Sequence, residues 1–389
     1  MQVRVIRTVE GFRDLEAGWN AMLRESEFKA PFYSWTWYDA WWKHFDEGNE
    51  LFLIVGEAPD GRLRFVAPLM KGKRSLRGLP VSQVSFLANS ISPRSSILFG
   101  KDFAGSDALA AVQACLAEHR SEWDMIRLWN VPDGMSYLSC FDEVCRRHRL
   151  QVIREPGWQS AYVAMDGDFE TYLGNNFGKN RRRGIQQKVR QLSARPGYRV
   201  MEFKRPEEIE HGLDLAFAVS RASWKGKLGT DMAGEKPRRS FYTDITRRLA
   251  EQGQMRIWIS ALDETPIALH YHLVDGDAVY LIVNDFSDEH QRMSPGTVLL
   301  YQVIERMYEE ELGQFQFSGD IYDYKSKWAS GVHRHVTLEA FHNRPYSRLL
   351  WWTKNTALPA LRSVKANLWA VTREADGRTS DHQEPAARA

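Results

Sequence analysis

The strongest constraint on the fold is an order of elements that occurs twice. In the first stretch, ELFLIVGEA and RLRFVAPLM read as strands around the turn residues Pro59-Asp60-Gly61. VSQVSFLA reads as a third strand. A polar loop from Asn89 to Arg94, a helix over 105–119 and the strand DMIRLWN follow. In the second stretch, MRIWISALD and PIALHYHLV flank an acidic turn at Asp263-Glu264, and AVYLIVN is the third strand. A polar loop over 285–293, a helix over 294–312 and the strand QFQFS complete that series. The offset is roughly 200 residues, one domain length. Mixed chains produce such orders by chance too, but a tandem α/β (α+β) duplication is the expectation, with a unit over 1–160 and another over 161–345. A C-terminal helical segment over 346–372 and a disordered tail over 373–389 follow, the tail lacking large apolar residues.

The second helix carries the clearest signals. Val298, Tyr301, Val303 or Ile304, Met307 and Tyr308 recur at 3–4 spacing, with Ser294 as N-cap, Pro295 in the first turn and Gly313 as the stop. Apolar runs elsewhere are short. Leu51–Val55 and Ala278–Val283 have five and six residues against the roughly 20 needed to span a bilayer, so no transmembrane helix is expected. The first residues include acids and no apolar h-region, which argues against a signal peptide. Cys115, Cys140 and Cys145 form no CxxC pair, as expected in a reducing cytoplasm and without structural zinc. The net charge of +2 offers no global attraction for nucleic acid. Fourteen tryptophans serve a core and also stacking on a sugar or cofactor.

Four places could carry chemistry. The loop-to-helix junction RMSPGTVLL exposes helix N–H groups to an anion, and Gly296 admits a ligand close to the backbone; a Pro-Gly helix start is equally ordinary punctuation. Asn284-Asp285 ends a strand, where a carboxylate can take a proton or simply cap a turn. His270 and His272 alternate on one strand and share a face: a base, a metal pair lacking a third ligand, or structural histidines. In FSGDIYDYKSKWASG, Asp320, Asp323, Tyr324 and Lys325 crowd a loop. Tyr324 could protonate a leaving thiolate and Lys325 could hold an anion, or Asp320 or Asp323 could pair with Lys325. From Lys179 to Arg205 ten basic residues face one acid, a solvated helix face or an anion-attracting patch. No zinc finger or other sequence-reading motif accompanies it, so no sequence-specific nucleic acid is expected.

In this order, PFYSWTWYDAWWKHF, NRRRGIQQKVRQL, WKGKLGTD, LHYHLVDGDAVYLIV, SPGTVLL and SGDIYDYKSKW resemble the cellulose-biosynthesis-associated (CelD/BcsL-type) acetyltransferase family, over roughly residues 30 to 330. That family is related to the GNAT acetyltransferases and to the FemAB aminoacyl transferases. The resemblance implies tandem acyl-CoA N-acyltransferase-like domains, each a mixed sheet flanked by helices. It implies transfer of an acyl group, acetyl first, from acyl-CoA to an amine or hydroxyl of a sugar or polysaccharide precursor, without metal. With the residue reading above, it puts Arg292, Ser294, Gly296 and Thr297 at the donor's phosphates, Asp285 or His270 as base with Asp320, Tyr324 and Lys325 in catalysis, and Trp224, Lys225 and Trp328 on the acceptor. Where the superfamily reads Q/R-x-x-G-x-G/A, this chain has Pro295 at the first glycine position and Thr297 at the last. The FemAB relatives take aminoacyl-tRNA, which the basic segment could serve. A non-catalytic accessory of polysaccharide synthesis is the remaining alternative. The first stretch has SPRSSILF at the corresponding place and is expected to shape the acceptor cleft without catalysing. Trp351, Trp352 and Trp369, with Arg348, Lys354, Arg362, Lys365 and no acids, are expected to rest on the inner membrane or a membrane-bound synthase, or to pack as a helix on the second unit.

Overall fold

A computed structural model describes residues 1–28 and 30–357. The first stretch holds β1 (Gln2–Ile6), α1 (Val9–Arg13), α2 (Glu16–Arg24), α3 (Trp35–Phe45), β2 (Glu50–Leu51), β3 (Leu53–Glu57), β4 (Leu63–Ala67), β5 (Leu69–Leu76), β6 (Leu79–Phe86), β7 (Leu98–Phe99), α4 (Gly105–Glu118), β8 (Met125–Pro132), α5 (Phe141–Arg147) and β9 (Gln151–Ala164). The second holds α6 (Phe169–Asn176), α7 (Lys179–Ser193), β10 (Tyr198–Phe203), α8 (Pro206–Ala222), α9 (Trp224–Lys227), α10 (Lys236–Glu251), β11 (Met255–Leu262), β12 (Thr265–Asp275), β13 (Ala278–Phe286), α11 (Pro295–Glu309), β14 (Gln314–Gln316), α12 (Asp323–Ser326) and β15 (Gly331–Phe341), with α13 (Pro345–Trp352) after it.

The duplication is visible in the strand pairing. β6 runs parallel to β8 across the crossover helix α4, and β13 runs parallel to β14 across α11. The last strand of each stretch then crosses over. β9 pairs with β14, β15 pairs with β8, and β9 and β15 pair with each other at the centre of an eleven-stranded sheet. The two stretches therefore share one continuous hydrogen-bonded ladder, while β1, β3, β4 and β7 form a separate four-stranded sheet.

Two prolines explain where the sequence reading differs from the structure. RLRFVAPLM is two strands, not one: Pro68 lies between β4 in the small sheet and β5 in the large one. A proline cannot donate to a ladder, so a change of sheet is a natural place for it. The central strand β9 was hidden by Pro156-Gly157, a turn signal that here sits beside a register shift between Arg334 and Val336. Gly157 is there because β15 passes so close. A Cβ on it would lie 3.0 Å from the carbonyl carbon of His335 and 3.1 Å from its oxygen. Gly157→Val should therefore cost roughly 1–3 kcal/mol through overpacking. Urea denaturation measures this, and an unchanged midpoint would contradict the close packing.

Most of the described tryptophans lie in the core or the cleft. In α3, Ser34 caps the first turn, and Trp35, Trp37, Trp41, Trp42 and Phe45 are all buried. Trp37 meets Phe241 of α10 edge-on at 5.1 Å, and Arg248 pairs with Asp39 at 2.8 Å. Fully burying one such large side chain contributes roughly 1.5–3 kcal/mol. At the other end, α13 packs on Val81 and Met125 of the first unit and on Phe341 of the second, and Tyr346 Oη donates to Pro80 O at 2.6 Å. Its Leu349 and Trp352 remain exposed. Trp369, Arg362, Lys365 and the segment 373–389 lie outside the described residues. Among the described residues no helix is long and apolar enough to cross a membrane.

Candidate active site

Parallel pairing of β13 with β14 covers only Ala278–Tyr280 against Gln314–Gln316. Farther along, the register of β13 against β12 skips Ile282, and β14 ends at Gln316. A bulge re-aims a strand, and here the two strands part. The gap is a cleft of about 730 Å³. Ile282–Phe286 form one wall and Ser318–Asp320 the other. Trp224, Lys225, Arg238 and Tyr242 close it from the helical side, and Trp158 of β9 with Ser90, Ile91 and Pro93 of the first stretch close its far end.

Asp285 is the most constrained side chain here. It is 4% exposed, accepts a 2.7 Å hydrogen bond from Ser220 Oγ of α8, and has Lys225 Nζ 2.5 Å from Oδ1. Burial pushes its carboxyl above the usual carboxylate range, against the opposing pull of Lys225 and Ser220. Lys225 is held in place by its own backbone. Ser223 Oγ accepts from Lys225 N at 3.2 Å, and Gly226 lets α9 fold tightly against the end of α8. A Cβ on Gly226 would lie 2.0 Å from Arg221 O. The Lys225 amine also reaches Asn284 O at 3.4 Å.

The opposite wall presents two groups with displaced titrations. Tyr324 Oη donates to Asn284 Oδ1 at 3.0 Å, and burial of the hydroxyl pushes its pKa up, so it keeps its proton. Lys325 is 6% exposed and donates to Ser318 O at 2.7 Å and Asp320 O at 3.0 Å. Burial first, then the nearby charge of Lys225, lowers its pKa to about 8. Above that pH the amine is neutral and has two hydrogens, matching those two carbonyls.

Several expected site residues sit elsewhere or do something else. His270 is 2% exposed beneath the sheet and does not line the cleft; its Nδ1 has no hydrogen-bond partner. Burial holds its pKa down to about 3, so it is a weak base. Trp328 belongs to the core against Phe177, and its carbonyl accepts from Tyr172 Oη at 2.6 Å. Lys325 makes no ion pair with Asp320 or Asp323: Asp323 pairs with Lys327, and Asp320 Oδ1 accepts from Gln159 N and Ile321 N. Arg292, Ser294, Gly296 and Thr297 do not line the cleft. Ser294 takes the N-cap position with φ 54, in the left-handed region, and its hydroxyl makes no cap bond. Phe286 links that helix start to the cleft: its ring lines the cleft and would be 2.9 Å from a Cβ on Gly296. Among the described residues no group of three or more His, Cys, Asp or Glu could hold a metal.

Asp285, Asp320, Tyr324, Lys325, Trp224 and Lys225 do converge on the cleft. Sequence reasoning missed Ser220, Arg238, Tyr242, Tyr322 and Trp158. Ser220 and Tyr242 stand in helical runs where polar and aromatic residues are unremarked, and Trp158 lies in the strand hidden by Pro156-Gly157.

Residues 179–326 match the family description "Acetyltransferase (GNAT) domain". That span contains β13, β14 and every cleft residue above except Trp158 and the loop from the first stretch. No curated protein matches the chain. Among solved structures, FemX superposes with a TM-score of 0.54 at 13% identity, over 90% of this chain and 99% of that one. The C-terminal domain of a putative lysylphosphatidylglycerol synthetase from Agrobacterium fabrum gives 0.53 at 12% identity, over 87% and 95%. A conserved protein from Bacteroides thetaiotaomicron gives 0.54 at 11% identity, over 87% and 100%. At these identities the superpositions speak for the fold alone, and they extend it over both stretches. The chain thus has a tandem GNAT-like fold, and its second stretch carries an acyltransferase domain of the GNAT type.

Proposed function

We propose that the chain transfers an acyl group, acetyl first, from acyl-CoA to an amine or hydroxyl of a sugar or polysaccharide precursor. The observation that carries this reading is the parted β13–β14 wedge with Asp285 on one wall and Tyr324 on the other. A thioester is already activated, so the site need only orient the nucleophile, remove one proton and stabilise an oxyanion. The acceptor's nitrogen or oxygen attacks the thioester carbonyl, and the new bond forms as its proton passes to Asp285. Peptide groups of β13 facing the gap beyond Tyr280 stabilise the oxyanion. The C–S bond then breaks, and Tyr324 protonates the departing thiolate. Trp158, Trp224, Tyr242 and Tyr322 offer flat faces suited to a sugar ring. Arg238, also in the cleft wall, suits an anionic group on the acceptor. The residue order shared with the cellulose-biosynthesis-associated acetyltransferases supports the saccharide assignment, with the first stretch contributing only the acceptor end.

A second reading rests on α7. Lys179, Arg181, Arg183, Lys188 and Arg190 are exposed there and enter no ion pair among the described residues, and the helix packs beside α11. An aminoacyl-tRNA donor would meet this face. Thermal shift separates the two. Acetyl-CoA at a hundredfold excess over Kd should stabilise the protein by roughly 2.7 kcal/mol, and no shift with acetyl-CoA or longer acyl-CoAs, alongside a shift with aminoacyl-tRNA, would replace the first reading by the second. Gly296→Val should weaken donor binding about tenfold or more by displacing Phe286 at the helix start. Unchanged donor affinity in the folded variant would remove the phosphate assignment from Ser294–Thr297.

A further inference from the structure

A second cavity lies at the far end of the first stretch. It has a volume of about 520 Å³ and sits where the C-terminal ends of α4 and α5 meet the end of β15. Trp158 of the cleft lies beside His335 of the neighbouring strand β15, seven residues from His342 in the cavity, so the two are about 23 Å apart along the strand. Its rim is formed by Arg120, Arg147, Arg149 and Arg344, with His148 and Asn343 between them. No acidic side chain lines it. Only Arg147 of the four has an acidic partner in an ion pair, Glu143; the other three have none among the described residues. The floor is His342, 7% exposed and stacked on Trp123 with ring centroids 3.7 Å apart, flanked by the buried Gln113 and Leu150.

Two features set this apart from a solvated basic face. First, the arginines come from three separate chain segments and converge on one concavity with a built aromatic floor. Second, the floor holds unmet polar capacity: His342 Nε2 and Gln113 Oε1 are buried without hydrogen-bond partners. The local field is positive enough to be felt by His342, whose pKa is lowered to about 4 by burial and then by Arg344 and Arg120, with Asp124 opposing. The exposed carbonyls at the ends of α4 and α5 account for some basic residues there. They do not account for Arg344, which follows a strand.

We propose that this cavity is a binding site for a small molecule bearing two linked phosphates, held by the guanidinium groups of Arg120, Arg149 and Arg344. Guanidinium forks match phosphate oxygens in pairs, and three unpaired forks around one hollow suit a diphosphate better than a single carboxylate. The site is separate from the donor and acceptor of the acyl transfer.

Isothermal titration of the full chain with inorganic pyrophosphate, and in a parallel arm with ADP, tests this. Both titrations are repeated on Arg149→Ser/Arg344→Ser, whose changes lie on the exposed rim, and on Gly296→Val, which disturbs the helix start and Phe286 of the acyl-transfer cleft and touches no residue of this cavity. Binding to the unaltered chain, weakened by about tenfold or more per arginine removed and kept in Gly296→Val, would support the site. Tighter binding of ADP than of pyrophosphate would add a nucleoside to the ligand class; equal binding would confine recognition to the phosphates. Absence of binding at millimolar pyrophosphate, or binding that the double variant leaves unchanged, would overturn the proposal. A loss of binding in Gly296→Val alone would assign the anion to the helix start instead and overturn it equally.

Discussion

Asp285→Asn should lower turnover by roughly 10²–10⁴, the span removed with a general base, while the protein stays folded. The amide has nearly the same shape, and its oxygen can still accept from Ser220 Oγ, which now stands 2.7 Å from Oδ2. Lys225 loses its counter-charge, but its side chain is 26% exposed and can turn to water, so the penalty of a stranded buried cation is small. The pH profile gives the diagnostic. Asp285 must be ionised to accept a proton, and burial sets its pKa above the usual carboxylate range. Turnover in the parent should therefore rise with pH along an acid limb displaced upward from that range, and the variant's residual activity should lack that limb. Steady-state rates across pH, with the donor identified by thermal shift, settle it. A variant that keeps the parent's acid limb would place the base elsewhere in the cleft.

The strands that bound the wedge were legible in the sequence, its occupants only partly so. The repeated order located β13 and β14, and the end of a strand in such a unit marked Asn284-Asp285 as a candidate. A bulge and a strand that stops early are not written in hydrophobic pattern, so the parting of the strands could not be read. His270 shows the limit of alternation. Period-2 spacing correctly puts His270 and His272 on one face, but it does not say which face meets the cleft, and theirs meets the core with Trp258 and Phe315. Trp328 failed for a similar reason: a motif groups residues by adjacency, and the short helix α12 turns Lys325 to the cleft and delivers Trp328 to the core. The exchange of β9 and β15 was beyond reach as well, because strand partners about 180 residues apart leave no local trace.

Lys325→Met should remove a pH dependence of stability that the parent shows between about pH 8 and 10.5. In the folded chain Lys325 has a pKa of about 8, lowered from 10.5 chiefly by burial. The unfolded chain therefore still holds the proton across a window in which the folded chain has released it. Stability rises with pH wherever the unfolded state binds more protons, so this group makes the parent more stable on the alkaline side of the window and less stable below it. Each tenfold change in proton affinity corresponds to about 1.36 kcal/mol, which bounds the full rise at roughly 3 kcal/mol. Other groups titrate there too, several buried tyrosines among them, but they are common to both proteins and cancel in the difference. The substitution also leaves Ser318 O and Asp320 O without the donor they now share, at roughly 1–3 kcal/mol for each carbonyl that water cannot reach. The gap between parent and variant should thus be smallest near neutrality, where the parent carries the burden of a buried ammonium, and should widen toward pH 10. Urea denaturation of both proteins at about pH 7.5 and about pH 9.5 gives the double difference directly. A gap that stays constant would mean that Lys325 titrates normally, and with that the picture of a neutral amine bridging two carbonyls at the cleft wall would fail.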